Sequence, residues 1–575
     1  MFKKLFPSVK GYGVPSIFAS LSVIAETIFE VLLPFLMMKI VDVGIASQDL
    51  SYVVRVGLLM VAASLCSLFF GIMGARLAAV ASTGFAKNVR GRLFHAIQDF
   101  SFANIDRFST ASLITRLTID VTNVQMAYMI TIRMLVRAPV MMIAATIMAV
   151  RINASLAMVF VVAVPILTLV IFVLLKVAYP RFGKMLEKYD AMNAQVQEKL
   201  TAIRVIKAFV REDYECENFE EAANTLRRFQ LRAEKMVILA MPVMMTAMYA
   251  CIIAVLWFGG LQIIGGTMDA GALFSFISYV AQILISLMMI SVAFMTLVVS
   301  RASIRRIVEI IDEQPDIADN NAEDAPTVAD GSISFSHVDF SYNKDANNLN
   351  LQDINLEISS GETVGIIGGT GSAKTTLVQL IPRLYDVLSG SVKVGGHDVR
   401  EYKLDDLRSN VAMVLQNNLL FSGTIAENLR WGKEDATDEE LITAAKVAQA
   451  DDFISAMPDG YQTMLGQAGV NLSGGQKQRL CIARALLKHP KIIILDDSTS
   501  AVDTATDARI RAGFKNELAG TTTIIIAQRI SSVMDADKIV VMEEGKISAV
   551  GTHDELMATN KIYAEVFRSQ QKGVA

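Results

Sequence analysis

The chain has 575 residues, of which 53% are apolar and only 19% are charged, and its mean hydropathy is +0.43. Because a soluble domain carries about 25% charged residues, this composition excludes a disordered protein and an ordinary soluble enzyme. The net charge of −4 gives no sign of a nucleic-acid partner, and the four widely spaced cysteines argue against a disulfide scaffold or a zinc site.

Six apolar stretches of membrane-spanning length occupy the first half of the chain. They lie at 16–40, 53–80, 132–150, 154–178, 236–264 and 271–299. A helix needs about 20 residues to cross a hydrocarbon core, so each stretch predicts a span. The basic start of the chain and the length of the first apolar run, without an A-x-A-like cleavage site, predict an uncleaved first helix. We therefore expect a membrane α-helical bundle of six spans in the lipid bilayer.

Lysine and arginine predict the orientation of this bundle. The stretches 82–123 and 179–235 are rich in both residues, whereas the opposite loops are short and nearly uncharged. Since cytoplasmic loops carry the excess of positive charge, both stretches and both termini are expected on the cytoplasmic side. Few helix breakers occur in 179–235, which predicts long cytoplasmic helical extensions of the spans. The lack of disulfide spacing and of eukaryotic targeting signals favours a bacterial inner membrane.

The character of the chain changes after the sixth span. A helix is expected to continue over 301–311, and the acidic, proline-containing stretch 312–330 predicts a linker. Beyond it, short β-rich runs at 333–340, 363–367, 492–495, 522–526 and 538–542 alternate with helical patterns. This alternation is typical of an α/β domain around a mostly parallel sheet. We expect a transmembrane domain over 1–311, the linker over 312–330 and an α/β nucleotide-binding domain over 331–575.

A glycine-rich loop lies between the predicted strand 363–367 and a predicted helix. It consists of Gly368, Gly369, Thr370, Gly371, Ser372, Ala373, Lys374, Thr375 and Thr376. In this context the pattern predicts a P-loop, whose backbone N–H groups cradle phosphates at a helix N-terminus. Lys374 is expected to reach the β- and γ-phosphates, and the Thr375 hydroxyl to bind Mg²⁺. The apolar strand that ends at Asp496 is expected to complete the Mg²⁺ shell, so the predicted ligands are ATP and Mg²⁺.

This loop departs from its usual pattern at one position. Ala373 stands where glycine normally precedes the lysine. The added methyl group is expected to be tolerated if the backbone φ angle stays negative, and to shift the loop by a fraction of an ångström. ATP binding is expected to survive this change, while the catalytic geometry is less secure.

The segment Leu472-Ser473-Gly474-Gly475-Gln476 resembles the signature motif of ATP-binding-cassette proteins. With it, nearly the whole chain resembles an exporter-type half-transporter. The resemblance implies that Tyr342 stacks on adenine and that Gln416, in the Q-loop, contacts Mg²⁺. It also implies that 102–108 and 209–215 are coupling helices and that 500–503 is the D-loop.

The same resemblance implies a dimer of two half-transporters. In this family each ATP lies between the P-loop of one nucleotide-binding domain and the signature motif of the other. Ser473, Gly475 and Gln476 are therefore expected to complete the ATP site of a second half-transporter subunit.

Two further departures from the family pattern lie at the hydrolytic centre. The family places a glutamate after the Mg²⁺-binding aspartate as general base, whereas this chain has Asp497, whose side chain is one methylene shorter. The family places a histidine after the next strand, whereas this chain has Gln528, whose amide has no titratable proton. With Ala373, these residues predict a degenerate ATP site with weak turnover in one half of a heterodimer.

Three functions are compatible with these features. The first is a heterodimeric exporter of small amphiphilic molecules or drugs, in which the intact signature motif of this chain serves the partner's hydrolytic site. The second is a homodimeric lipid or peptide exporter, and the third is a regulatory ATP-binding subunit that gates its partner. The direction of transport is not determined by the sequence.

Charged residues also occur within the predicted spans. Glu26 and Glu30 lie four residues apart, on one helix face, and carboxylates at membrane depth are costly unless they face a cavity or a partner. They line a substrate cavity for cationic amphiphiles or protons, or they form a structural pair bonded to Ser or Thr or placed near an interface. Arg133 and Arg137 are expected to extend to the cytoplasmic interface.

Overall fold

The computed structural model describes residues 2–320, 322, 324–498, 502–517 and 520–572. The chain divides into two compact units, Met1–Asp99 with Ser109–Glu313, and Phe100–Phe108 with Gln314–Ala575. The segment Phe100–Phe108 therefore groups with the C-terminal unit, which the linear division predicted from the sequence did not include.

The N-terminal part of the chain is built of long helices. Their bounds are α1 (Phe2–Leu5), α2 (Gly13–Lys39), α3 (Leu50–Gln98), α4 (Phe102–Phe108), α5 (Thr110–Thr115), α6 (Val121–Ile152), α7 (Ala154–Thr201), α8 (Ile203–Ala208), α9 (Glu212–Ile264) and α10 (Ala270–Asp312). Two π-helical segments, Ile40–Ile45 and Arg116–Asp120, follow α2 and precede α6.

Helices lie at all six predicted spans. Within the described residues, five are long and apolar enough to cross a membrane: Leu50–Gln98, Thr110–Ile152, Ala154–Thr201, Met241–Ile264 and Ala270–Asp312. Helix α2 covers the first predicted span but is not among these five. Length and composition therefore support five of the six predicted spans.

Two of these helices form the predicted extension over 179–235. Helix α7 begins after Asn153, whose extended backbone ends α6 and whose side-chain oxygen accepts hydrogen bonds from the N–H groups of Ser155 and Leu156. It runs without a break to Thr201, and α9 starts at Glu212 after the short helix α8. The predicted helical character is confirmed, with a turn at 209–211.

The C-terminal unit has the predicted alternation of strands and helices. Its strands are β1 (Ile333–Phe340), β2 (Leu351–Ile358), β3 (Thr363–Gly368), β4 (Ser389–Val394), β5 (His397–Asp398), β6 (Val411–Val414), β7 (Gly423–Thr424), β8 (Met464–Leu465), β9 (Ile492–Asp496), β10 (Thr522–Ile526), β11 (Lys538–Glu543) and β12 (Lys546–Gly551). Its helices are α11 (Lys374–Gln379), α12 (Leu404–Asn410), α13 (Ile425–Arg430), α14 (Asp438–Val447), α15 (Asp451–Ser455), α16 (Gly474–Leu486), α17 (Thr504–Glu517), α18 (His553–Thr559) and α19 (Lys561–Lys572).

A six-stranded sheet in the order β12-β11-β3-β10-β9-β6 forms the centre of this unit. Strands β11, β3, β10, β9 and β6 are parallel, and only β12 is antiparallel to its neighbour. Every residue of β9 and β10 is buried, as expected for apolar strands covered on both faces. A four-stranded antiparallel sheet, β2-β1-β4-β5, flanks it.

The register of the parallel strands determines where the functional loops meet. Ile526 at the end of β10 is paired with Ile366 of β3 on one side and with Asp496 of β9 on the other. The carboxyl ends of these strands therefore lie at one edge of the sheet. Ligands of open α/β sheets bind at this edge.

Helix α4 belongs to the C-terminal unit and packs against the other residues of that unit. The Tyr385 hydroxyl donates a hydrogen bond to Asp106 Oδ2 at 2.7 Å, and the Phe102 ring meets the Tyr385 ring edge-on at 6.0 Å. The Asn104 amide donates to the Gln314 carbonyl oxygen at 3.2 Å. These contacts connect α4 to the domain that contains the P-loop.

Candidate functional site: a nucleotide pocket at the strand ends

The P-loop begins where β3 ends and closes at the first turn of α11. Gly368 has no room for a side chain, because a Cβ atom there would lie 2.3 Å from the Met542 carbonyl oxygen of β11. The Lys374 ammonium donates hydrogen bonds to the carbonyl oxygens of Gly368 and Gly369 at 2.9 and 2.8 Å. Burial lowers the pKa of Lys374. A phosphate beside the ammonium would act in the opposite direction and raise that pKa.

The backbone at Ala373 differs from the expectation. This residue is the N-cap of α11 and has φ 68° and ψ 25°, in the left-handed region. The sequence analysis expects the methyl group to be tolerated only if φ is negative, and that condition is not met. A side chain in that region costs about 1–2 kcal/mol because Cβ approaches the next carbonyl oxygen. The glycine of the usual pattern meets this backbone requirement without strain, so Ala373 adds strain to the loop beside Lys374.

Asp496 lies at the end of β9, next to the Thr375 side chain. The Thr375 hydroxyl lies 3.0 and 2.9 Å from the two carboxylate oxygens of Asp496. Burial raises the pKa of Asp496, and the neighbouring Asp497 acts in the same direction, although the Thr375 hydrogen bond opposes them. A hydroxyl and a buried carboxylate at this distance are the hard oxygen donors that Mg²⁺ prefers, so the residues fit the ion.

Asp497 forms the centre of a small network of amides. Its Oδ2 atom accepts hydrogen bonds from Gln528 Nε2 at 3.0 Å and from Gln416 Nε2 at 3.5 Å. Burial raises the pKa of Asp497, whereas these two amides act in the opposite direction. The structure therefore brings together the three residues that the sequence placed in the Q-loop, at the general base and at the histidine position.

Tyr342 lies on the other side of the P-loop. Its hydroxyl is 3.0 Å from Thr376 Oγ1, and its ring packs edge-on against Phe340 and Tyr385 at 4.9 and 5.1 Å. The residue is 41% exposed, so part of its side chain is accessible to a ligand.

Most of the predicted ATP-binding residues line one cavity of about 310 Å³. These residues are Gly368, Thr370, Gly371, Ala373, Lys374, Thr375, Thr376, Gln416, Asp496, Asp497 and Gln528. Asn350, which the sequence analysis missed, lines it as well, and its side-chain oxygen accepts a hydrogen bond from the Tyr342 N–H at 3.2 Å. No local motif marks Asn350, because only the pairing of β1 with β2 brings it to the pocket.

The signature residues are placed apart from this cavity. Ser473, Gly475 and Gln476 are described by the structure but do not line it. Ser473 caps α16: its hydroxyl accepts from the Gln476 N–H at 3.3 Å, and its own N–H donates to Gln476 Oε1 at 2.9 Å. This capping box holds the N-terminus of α16 in a defined geometry. Ser500 and Ala501 of the predicted D-loop lie outside the described residues.

A second residue that the sequence did not reveal contacts residues 528–532, which follow β10 and are called the switch segment below. Gln570 of α19 donates from Nε2 to the Gln528 carbonyl oxygen at 2.8 Å and accepts from the Ile530 N–H at 2.9 Å. A glutamine in the last turns of an amphipathic helix carries no signal for such a role.

The two glutamates of the first predicted span have a partner that was not predicted. Arg137 of α6 donates from Nη1 to Glu26 Oε1 and from Nη2 to Glu30 Oε2, both at 2.6 Å. The expected extension of Arg137 to the interface is therefore wrong, since its guanidinium is bound by two carboxylates of α2.

A P-loop with a Thr–Asp pair at the edge of a parallel sheet, in a chain whose other unit holds membrane-length helices, defines an ATP-driven membrane transporter. Comparison with known proteins agrees. The family model described as "ABC transporter transmembrane region" matches residues 16–288, and the model described as "ABC transporter" matches 351–500. The chain belongs to the ABC transporter family, as an exporter-type half-transporter.

Relatives cover the whole chain. The uncharacterized ABC transporter ATP-binding protein YfiB of Bacillus subtilis is 37% identical over 571 residues, which are 99% of this chain and 98% of YfiB. An ATP-dependent lipid A-core flippase of Desulfotalea psychrophila is 30% identical over 575 residues, 99% of each chain. YgaD of B. subtilis, named as a candidate multidrug export ATP-binding/permease protein, is 36% identical over 492 residues, 84% of this chain and 83% of YgaD.

The fold is also found in a solved structure. The structure of a bacterial Atm1-family ABC exporter with ATP bound has a TM-score of 0.86 at 24% identity, covering 97% of this chain and 99% of that chain. The protein is thus a multi-pass membrane ABC exporter that binds ATP, couples ATP hydrolysis to transport and works as a dimer.

Proposed function

We propose that this chain is the degenerate half of a heterodimeric exporter of small amphiphilic molecules. Its own P-loop retains ATP with weak turnover. Its signature residues Ser473, Gly475 and Gln476 complete a hydrolytic site on a second half-transporter that carries the missing glutamate and histidine.

The pairing of Gln528 with Asp497 is the observation that carries this proposal. A general base has to present a free lone pair to the attacking water, within hydrogen-bond reach of its proton. Two amides hold Asp497 Oδ2 by hydrogen bonds, and the aspartate side chain is one methylene shorter than glutamate, so its carboxylate is anchored short of the position that a glutamate would reach. A displacement near 1 Å lowers a rate by about a hundredfold, so slow hydrolysis at this pocket is expected.

The backbone strain at Ala373 supports the same conclusion. Ala373, Asp497 and Gln528 all line the cavity of the P-loop, so the three departures from the family pattern act on the same ATP. The capping box at Ser473, which serves the other ATP, keeps the residue types of the family motif. A homodimer would have all three departures at both sites, which favours a partner of different sequence.

Mg²⁺ is the ion that this pocket fits. The Thr375 hydroxyl and the Asp496 carboxylate would hold it, with the Gln416 amide oxygen as a further ligand. When bound, the ion neutralises negative charge on the β- and γ-phosphates.

The membrane unit is proposed to span a bacterial inner membrane six times, with both termini and the nucleotide-binding domain in the cytoplasm. Lys and Arg are concentrated at 82–123 and 179–235, which supports this orientation. The names of relatives refer to multidrug export and to lipid A-core flipping, and both kinds of cargo are amphiphilic.

Purification of this chain alone tests the proposal. We expect ATP binding with little phosphate release, and an increase in hydrolysis when a half-transporter with glutamate and histidine at the matching positions is added. Fast turnover by the isolated chain that is abolished by Asp497→Ala would refute the assignment and favour a homodimer.

Nucleotide trapping in the assembled dimer separates an exporter from a regulatory subunit. Lys374→Ala disables the P-loop of this chain, and the matching lysine change disables the partner's. In an exporter of the proposed kind, the variant that disables the partner's P-loop abolishes transport. Lys374→Ala, which disables the P-loop of this chain, only slows transport.

A further inference from the structure

Two carboxylates and one guanidinium form a closed ion cluster between α2 and α6. The Arg137 side chain is 25% exposed, and both of its terminal nitrogens bind a carboxylate, one from Glu26 and one from Glu30. The remaining oxygen of Glu26, Oε2, is buried and has no hydrogen-bond partner among the described residues. Oε1 is bound by Arg137 and Oε2 is buried, so neither carboxylate oxygen of Glu26 is presented as a free acceptor on the surface.

Arg133 lies one helical turn before Arg137 and faces the same space. Both arginines line a cavity of about 230 Å³ together with Glu26, whereas Glu30 does not line it. Arg133 is partly exposed and makes no hydrogen bond or ion pair with any residue that the structure describes. Of the charged residues that line the cavity, Arg137 and Glu26 bind each other, and Arg133 is the one whose guanidinium has no described partner.

The rest of the cavity wall is apolar. Three methionines, Met129 and Met134 of α6 and Met289 of α10, line it with Val23 of α2. Thioether side chains are flexible and polarizable, and they adapt to apolar groups of different shape. A guanidinium is the side chain that best binds planar or tetrahedral anions, because its donors form a fixed fork.

We propose that Arg133 anchors the anionic headgroup of an amphiphile, a phosphate, sulfonate or carboxylate, whose apolar part lies against the three methionines. This inference rests on the proposed export of amphiphiles and specifies the charge of the cargo. It differs from the cationic cargo that Glu26 and Glu30 suggest in the sequence, because Arg137 already binds both carboxylates and Arg133 adds a second cation to the same cavity.

Binding of dodecyl phosphate to the full chain tests the proposal. The chain is placed in phosphatidylcholine nanodiscs, and empty nanodiscs are subtracted. We expect Arg133→Gln to weaken binding by at least about tenfold, as for a lost hydrogen bond to a charged group. Arg133→Lys is expected to retain part of the affinity, and Arg151→Gln, an exposed arginine at the end of the same helix, all of it. Dodecylphosphocholine, which is zwitterionic, is expected to bind more weakly and to respond less to Arg133→Gln.

A second arm distinguishes the two sources of such a headgroup. If phosphatidylglycerol in the nanodisc competes with dodecyl phosphate, Arg133 binds an anionic lipid. If phosphatidylglycerol does not compete, Arg133 binds a free amphiphile. Both outcomes support an anionic ligand. Equal binding of dodecyl phosphate by the wild type and Arg133→Gln overturns the proposal, as does an equal loss for both detergents. Thermal unfolding shows whether each variant is folded. If Arg133→Gln is not folded, Arg133→Met, which keeps the apolar stem of the side chain, is used in its place.

These outcomes are independent of the ATP site, since binding is measured without hydrolysis. If dodecyl phosphate and dodecylphosphocholine bind equally well and Arg133→Gln has no effect, amphiphile export stands and only the anionic anchor fails. If the wild type binds no amphiphile of either charge, the proposed cargo class itself fails.

Discussion

Gln528 Nε2 donates a hydrogen bond to Asp497 Oδ2 at 3.0 Å, so the residues at the switch and general-base positions of this pocket bind each other. A glutamine holds the carboxylate without exchanging a proton with it. The pair thereby holds the Asp497 carboxylate in place at the wall of the nucleotide pocket.

Asp497→Glu combined with Gln528→His is expected to restore hydrolysis. The longer carboxylate regains its reach, and the histidine replaces the amide that holds Asp497 Oδ2. Since this chain has its own signature residues, a dimer of the double variant is expected to release phosphate about a hundredfold faster than the wild type, within the range of general-base catalysis. Addition of Lys374→Ala is the control and is expected to remove the gain. Wild-type turnover equal to that of the double variant would contradict the prediction.

Ala373→Gly is expected to stabilise the P-loop. Glycine adopts φ 68° freely, so the change removes about 1 kcal/mol of backbone strain and raises the melting temperature of the purified protein. Ala508→Gly, at an exposed position within α17, is the matched control and is expected to lower stability by about 1 kcal/mol. A decrease for both variants in differential scanning fluorimetry would show that Ala373 is not strained.

When Mg²⁺ and ATP are absent, Asp496→Asn is expected to raise the stability of the protein. The size of this increase is expected to depend on pH. Burial raises the pKa of Asp496 in the folded state, so the free energy of unfolding of the wild type falls as the pH rises from the unfolded-state pKa, about 4, to the raised pKa. The gain in melting temperature over the wild type should therefore grow as the pH rises above about 4 and level off above the raised pKa.

The same variant tests the ion. Mg²⁺ with ATP is expected to raise the melting temperature of the wild type and to have little effect on Asp496→Asn, because a ligand stabilises only the state that binds it. EDTA is expected to remove the wild-type effect. The exposed Asp459, changed to Asn, is the control and should behave like the wild type. A full Mg²⁺ effect in Asp496→Asn would exclude this carboxylate as a ligand.

Gln570→Ala is expected to loosen the switch segment. Two hydrogen bonds to the backbone at Gln528 and Ile530 are lost, each worth about 1 kcal/mol. Amide hydrogen exchange over 528–532 is expected to be faster, and bound nucleotide to be released faster. Gln571→Ala, next in sequence and exposed, is expected to change neither. Unchanged exchange in Gln570→Ala would mean that α19 does not hold the segment.

Arg137→Met is expected to be the more damaging of two matched changes in α6. It leaves two carboxylates without their partner, which costs about 3–5 kcal/mol when an ion pair is buried. Addition of Glu26→Gln and Glu30→Gln removes the uncompensated charge and is expected to recover most of the melting temperature. Arg133→Met is expected to have little effect on stability. Equal losses for Arg133→Met and Arg137→Met would show that the ion cluster contributes no stability.

Local patterns predicted the elements of this chain well. The β-rich runs at 333–340 and 522–526 have the bounds of β1 and β10, because short runs rich in β-branched and aromatic residues, bounded by turn residues, favour strands. The P-loop was equally visible, since its glycines, Lys374 and Thr375 are adjacent in the chain. The helical extension over 179–235 follows from the same kind of local evidence.

The sequence by itself thus determined which segments are helices, strands and loops, and that this protein is an ABC exporter with an altered ATP site. Only the tertiary structure decided that Gln528 and Gln416 bind Asp497, that Ala373 has a positive φ, and that Arg137 binds Glu26 and Glu30. Backbone hydrogen bonds and apolar periodicity act within one element. Pairings between side chains depend instead on which strand ends and helix faces become neighbours, and that is settled only when the whole chain packs.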